Sequence, residues 1–582
     1  MTILLFIILL IPLSVVFKTY PELNSDGSLG QQYYLAGACA IVAVCLLVWT
    51  LLREWKAETE GGEKKSSNRH NPGQENYFSI ILSWCLMFCC VVEVLWGIGQ
   101  VYGVLYSRHA MYALSGSFYN PGPYSGYLAL VLPIALHEYL RHAFVSAKYN
   151  NVDYEENSTI IWIKSCWKRI VRYTALIVVL LVVCVLPAGM SRSAWLAAVV
   201  SSFFVLWTDG RWNNKVISYR KKHPRVFRLW LCLALFLLLA LAVGMFYMKK
   251  DSANGRLLMW KISLKAIVEK PLTGYGSGGF PAAYGAAQEA YFLSGGFSDT
   301  EVRVAGCPQY AFNEYLHTAV EHGIPFTILL LAIISLIFYR GFRKRLIGIC
   351  GGIISLAVFS FSSYPFRMPA FWVVLLLMLV ACLIENKRSH YMLLSVATAL
   401  IGSFLWLDTC QEYPSCRSWN EFRALYQNEA YGEAVRACEE YHADLKNNVK
   451  FLFEYGHSLH KLKRYEESNA ILMEAAQKSC DPMILNIIGK NHQGLKQYEE
   501  AEHYFIRSTH LIPGRMYPYF LLVNLYAEPD NYKEDKLLEA ARQVLEFEPK
   551  IPSTAIDEMR LEVKKILIAN KSKQSTILIP NR

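Results

Sequence analysis

Charged residues are scarce in this sequence: they make up 18% of its 582 residues, against 54% that are hydrophobic. A soluble protein of this length carries more charge, so an ordinary soluble fold is excluded and a membrane class is implied. The formal charge of +11 is not gathered on one basic face, which excludes nucleic acid as a partner. No CxxC or other metal-ligand spacing occurs among the 15 cysteines; most lie inside apolar runs, where cysteine behaves as a small hydrophobe. Neither a metal nor a cofactor is expected. The first apolar segment, residues 2–17, lacks a basic flank and a small-residue cleavage site, so it reads as a retained membrane helix and not as a signal peptide.

What the sequence has in abundance is long apolar runs. Segments able to cross a hydrocarbon core of roughly 30 Å fall at 2–17, 32–52, 78–103, 124–140, 171–190, 193–208, 227–247, 315–338, 346–363, 368–384 and 391–408. That is about eleven spans, an all-α polytopic bundle. Lys and Arg gather in alternate loops, at 53–77, 141–170, 209–226, 339–345 and 385–390, while the intervening short loops hold at most one each. Basic residues accumulate on the cytoplasmic side, so the N-terminus is expected in the cytoplasm, and an odd number of spans leaves the C-terminus outside. The long loop 248–312 is expected outside although it carries basic residues, because long loops follow the charge rule weakly. Its length marks it as functional.

Beyond Leu407 the hydropathy falls and a period emerges. Tyr431, Tyr465, Tyr498 and Tyr532 stand 34, 33 and 34 residues apart, each opening a similar patch such as Tyr-Glu-Glu-Ala. Small residues recur where paired helices meet, Gly489 and Ala501 in the third unit, and Pro513 ends that unit's second helix. The pattern resembles the tetratricopeptide repeat, an α-solenoid. The expected organisation is a membrane domain over 1–410 with its outer loop 248–312, a repeat domain over 411–550, and a capping helix with a disordered basic tail over 551–582. Cys410 and Cys416 are close enough in sequence to suggest a disulfide outside the membrane.

Four stretches place polar groups at the outer ends of spans, where such groups are expensive and usually functional or paired. Gly116-Ser-Phe-Tyr-Asn-Pro leads into the fourth span, with Asn120 setting a turn before Pro121. Ser191-Arg192-Ser193 forms a tight hairpin, and its arginine suits either headgroup snorkelling or bidentate contact with a diphosphate. Arg256 and Trp260 precede Pro271-Leu-Thr-Gly-Tyr-Gly; the GxGxxG inside this glycine-rich turn lacks the preceding strand of a dinucleotide fingerprint. Asn313-Glu314-Tyr-Leu-His317 opens the eighth span, and an imidazole beside a carboxylate suits general-base chemistry.

Taken together, these stretches resemble the O-antigen ligase and O-antigen polymerase superfamily, which also holds bacterial O-linked oligosaccharyltransferases, over roughly residues 80–385. The resemblance implies a glycosyltransferase fold of the C type in the bacterial inner membrane. The implied chemistry is metal-independent transfer of a glycan from undecaprenyl diphosphate to an acceptor at the periplasmic face. Arg192, Arg256 and Arg303 are then the donor-binding residues, Asn120 a further substrate contact, and His317, Glu314 and Asn313 the catalytic set. One departure stands out: Phe312 occupies the place where ligases of the superfamily usually have histidine, which leaves the base to His317, one helical turn further in, or to Glu314, or to a site that needs no strong base because the leaving group is so good. Membrane lipid, a polyprenyl-diphosphate-linked donor and a saccharide or protein acceptor are the implied partners, with a further protein partner possible on the repeats. The product class separates a polysaccharide ligase or polymerase, the main reading, from a protein oligosaccharyltransferase. A non-catalytic scaffold built on the repeats would have no use for the two span-end arginines.

Overall fold

The computed structural model describes residues 2–20, 23, 27–59, 77–143, 158–230, 232–233, 236, 244, 250–385, 387–549 and 552–577. Every regular element among them is helical, and the apolar ones satisfy each backbone N–H and C=O within their own segment, as a helix in lipid must. In chain order the first helices are α1 (Thr2–Leu13), α2 (Gly27–Thr59), α3 (Tyr77–Val101), α4 (Pro121–Ala143), α5 (Ser158–Val185), α6 (Arg192–Thr208) and α7 (Gly210–Lys222). There follow α8 (Lys250–Glu269), α9 (Phe280–Leu293), α10 (Asp299–Val304), α11 (Glu314–Arg343), α12 (Ile347–Ser360), α13 (Pro369–Leu383) and α14 (Arg388–Thr409). Nine further helices follow among the described residues: α15 (Glu412–Gln427), α16 (Tyr431–Leu445), α17 (Val449–Lys461), α18 (Tyr465–Ala476), α19 (Pro482–Gly494), α20 (Tyr498–Leu511), α21 (Tyr517–Ala527), α22 (Glu534–Glu546) and α23 (Thr554–Ile577).

Each expected span falls on a helix except 227–247, which lies largely outside the described residues. Five described helical stretches are long and apolar enough to cross a membrane, and four shorter apolar ones accompany them. The chain packs as two units. The first comprises Met1–Met245, Phe312–Tyr315 and Ile328–Tyr413; the second comprises Phe246–Ala311, Leu316–Thr327 and Pro414–Arg582.

In the first unit α4 is buried nearly all round, with Tyr124, Tyr127, Leu128 and Ile134 inaccessible, so it occupies the bundle interior. Its neighbours approach closely through small residues. A Cβ at Gly126 would lie 2.3 Å from the Phe359 ring of α12, and one at Gly351 2.8 Å from Pro133. Helix association between apolar surfaces depends on such close packing, since lipid offers no hydrophobic drive between helices.

In the second unit residues 246–311 group with residues 414–582. A disulfide joins Cys307 to Cys480, Gln288 Nε2 donates to the Leu511 carbonyl at 2.6 Å, and Arg507 holds Glu289 through bonds of 2.8 and 3.0 Å. The expected Cys410–Cys416 bridge is not formed. Cys410 follows α14 directly, Cys416 lies within α15, and both are free. The repeats themselves are successive helix pairs, α15/α16 through α21/α22. A Cβ at Gly456 would lie 2.6 Å from Leu472, and one at Gly489 2.4 Å from Phe505, which explains the small residue there. Helix α23 falls within the stretch 551–582; residues 578–582 lie outside the described residues.

Candidate functional site

In the second unit the glycine-rich turn and the start of the eighth span interlock through backbone. Tyr275 N–H donates to Val320 O at 3.0 Å, Gly276 N–H to Glu321 O at 2.8 Å, and Ile324 N–H to Pro271 O at 2.8 Å. Gly274 has φ +66°, and a Cβ there would lie 2.4 Å from Glu321 O. Gly323 has φ +81°, breaks α11, and would place a Cβ 2.2 Å from Leu272 O. Two motifs read separately in the sequence are thus one structure, and both glycines are required by close backbone approach.

His317 sits on this platform. Its Nε2 lies 3.3 Å from Glu321 Oε1, both side chains are buried, and its ring centroid is 4.8 Å from that of Phe280. Glu321 Oε1 also accepts the Phe280 N–H at 3.4 Å, at the start of α9. An imidazole held by a carboxylate, itself fixed by a helix N-terminus, is oriented for general-base chemistry. Nearby, the Tyr275 hydroxyl donates to Glu269 at 2.7 Å; burial, then that carboxylate, push its pKa up to about 12.

Glu314, the sequence candidate, stands three residues before His317 at the start of α11. In the first unit its Oε1 accepts the Phe366 N–H at 2.8 Å. Asn313 Oδ1 accepts the Tyr315 N–H at 3.0 Å, capping α11. Phe312 adopts φ +50° and packs its ring edge-on against Tyr364 at 5.0 Å.

Arg192 is the first residue of α6, following a turn in which Met190 has φ +48°. The turn is pinned by Trp195 Nε1, which donates to Leu186 O at 3.0 Å. Gly189 abuts Ser125 of α4, where a Cβ would meet Oγ at 1.9 Å. A half-buried guanidinium at a helix N-terminus combines two anion-attracting features. Asn120 Oδ1 accepts the Gly122 N–H at 2.9 Å and so caps α4. In the second unit Arg256 is half-buried on α8, whereas Arg303 is exposed and lies 3.8 Å from Asp251.

Sequence reasoning missed three side chains. Glu321 is four residues from His317, a helical neighbour that the spacing offers as readily as Glu314. Glu93 and Gln100, seven apart in the apolar α3, hold the Gly116 segment: Gln100 Oε1 accepts the Ser115 and Gly116 N–H groups at 2.9 and 2.7 Å, and Glu93 Oε2 accepts the Ser117 N–H at 3.0 Å. Their signal was two polar groups on one face of a membrane helix.

Residues 175–331 match a family model described as O-antigen ligase. No curated protein and no solved structure matches the chain.

Proposed function

Through residues 175–331 the chain belongs to the O-antigen ligase superfamily, whose work is the joining of glycans, and from that premise we propose that it transfers a glycan from a polyprenyl diphosphate carrier to an acceptor at the outer face of the inner membrane. The observation that carries this reading is the buried His317–Glu321 pair fixed on the glycine-rich turn, inside the matched segment.

An acceptor hydroxyl attacks the anomeric carbon while the bond from that carbon to the diphosphate oxygen breaks. The hydroxyl proton passes to His317, and Glu321 stabilises the imidazolium that results. The departing polyprenyl diphosphate carries the electron pair of the broken bond. Arg192 and Arg256 are assigned to phosphate binding, because a guanidinium stays charged and matches phosphate oxygens bidentately. A leaving group already activated as a diphosphate asks chiefly for charge stabilisation and positioning. Asn313 and Glu314 shape the start of α11 and act as positioning residues.

The outer location is supported by the Cys307–Cys480 disulfide, since such bonds persist in oxidising compartments, and it agrees with the charge pattern of the short loops. In cells making the matching lipid-linked glycan, Arg192→Ala and Arg256→Ala are expected to insert normally, abolish transferred glycan and accumulate the lipid-linked donor. Normal glycan output from both variants would remove the phosphate-binding assignment.

A further inference from the structure

The face formed by the first helices of the repeat pairs has a chemistry of its own. Along α17, Phe453, His457 and His460 form a row of near-parallel rings, with centroids 6.0 and 6.1 Å apart. Tyr426 from α15 bonds His457 Nδ1 at 2.8 Å, and Asn491 from α19 bonds His460 Nδ1 at 2.6 Å. All four side chains on the first two of these helices are half-buried, open enough to be touched from solvent.

A chain of hydrogen bonds fixes what His460 presents. Ser468 Oγ donates to Gly456 O at 2.6 Å, so it must accept from Asn491 Nδ2, 2.8 Å away. That sets the Asn491 amide with Nδ2 toward Ser468 and its oxygen toward His460. His460 Nδ1 therefore carries the proton, and in the neutral ring Nε2 is a lone-pair acceptor. Burial, and then the charges of Lys490 and Lys461, hold the His460 pKa below its ordinary value, against the pull of the Asn491 bond. The ring stays an acceptor at neutral pH.

Two ammonium groups flank it. Lys461 adjoins His460 in sequence and Lys490 adjoins Asn491, and neither has an acidic partner among the described residues. The nearby Arg423, by contrast, is already taken up by Glu454 at 2.7 Å. Unpaired cations, a hydroxyl acceptor and apolar ring surfaces on one face match a ligand that joins an anion, hydroxyl donors and C–H faces within one residue. An acidic sugar does so. An acidic peptide offers its donors along a backbone and not, as a sugar does, as several hydroxyls set beside the anion on the same ring.

We propose that the face formed by Phe453, His457, His460, Lys461 and Lys490 binds an acidic oligosaccharide, one carrying carboxylate or phosphate groups, and so selects the glycan that the chain handles. The choice of a saccharide rests on the proposed function, but binding is measurable apart from transfer. The full-length protein in nanodiscs is titrated calorimetrically with oligogalacturonate, with neutral maltohexaose and with a poly-glutamate peptide. Oligogalacturonate is expected to bind, more weakly as salt rises, with at least about tenfold loss in Lys490→Ala and in the exposed-site variant Lys461→Ala. His460→Phe, which keeps a ring and removes the acceptor, is expected to weaken the saccharide alone. Equal binding of poly-glutamate, equal binding of maltohexaose, or no binding of oligogalacturonate each overturns the proposal. A protein that transfers glycan without binding acidic saccharide refutes this inference only; one that binds but never transfers refutes the proposed function only.

Discussion

At the scale of the residue, the account turns on which carboxylate serves His317. Helical spacing offers Glu314 and Glu321 equally, and what separates them is the Phe366 N–H, 52 residues from Glu314, which no local pattern reveals. His317→Ala is expected to lower transfer by about 10²–10⁴-fold, the usual contribution of a general base, and Glu321→Gln by less, because the imidazolium formed on proton transfer loses its counter-charge. Unchanged rates in His317→Ala would move the proton elsewhere. Arg303, exposed and near Asp251, is expected to matter less than Arg256 in the same transfer assay. A second residue-scale test concerns stability. Burial, then Lys461, His460 and Lys490, depress the His457 pKa from 6.5 to about 4. Between these values the unfolded chain binds the proton and the folded chain does not, so stability is complete above pH 6.5 and declines as pH falls toward 4. Thermal melts of the full chain are expected to lose Tm over that window, and His457→Gln to flatten the decline.

At the scale of the element, helices were the most legible feature. The apolar runs mark the described membrane helices, because a helix is the element that satisfies its own backbone in lipid. The repeat period marks the second helix of the first three pairs, which open at Tyr431, Tyr465 and Tyr498. What spacing did not reveal is that Pro271-Leu-Thr-Gly-Tyr-Gly and the Glu321–Gly323 segment are one interlocked platform, since their bonds join backbone groups far apart in sequence. Gly274→Ala combines a left-handed φ with a 2.4 Å approach to Glu321 O, so it is expected to destabilise by about 1–3 kcal/mol and to lower transfer together with the His317 geometry. Wild-type melting and activity in that variant would show the turn to be a passive connector.

At the scale of the whole molecule, residues 246–311 share a unit with residues 414–582. Composition could not reveal this, because the contacts that attach the loop, Cys307–Cys480 and Glu289–Arg507, pair residues that no periodicity connects. Cys480→Ser is expected to cost about 2–5 kcal/mol of the second unit's stability, read as a lower Tm that reductant does not lower further. The measurement that bears most directly on the central claim is transfer by the purified protein in vesicles supplied with a polyprenyl-diphosphate oligosaccharide. Lipid A core, a second lipid-linked glycan and a periplasmic protein pool are offered as acceptors. The account predicts glycan joined to one acceptor with release of polyprenyl diphosphate, both lost in Arg192→Ala and Arg256→Ala. Donor that binds the wild-type protein yet yields no product on any acceptor would contradict it.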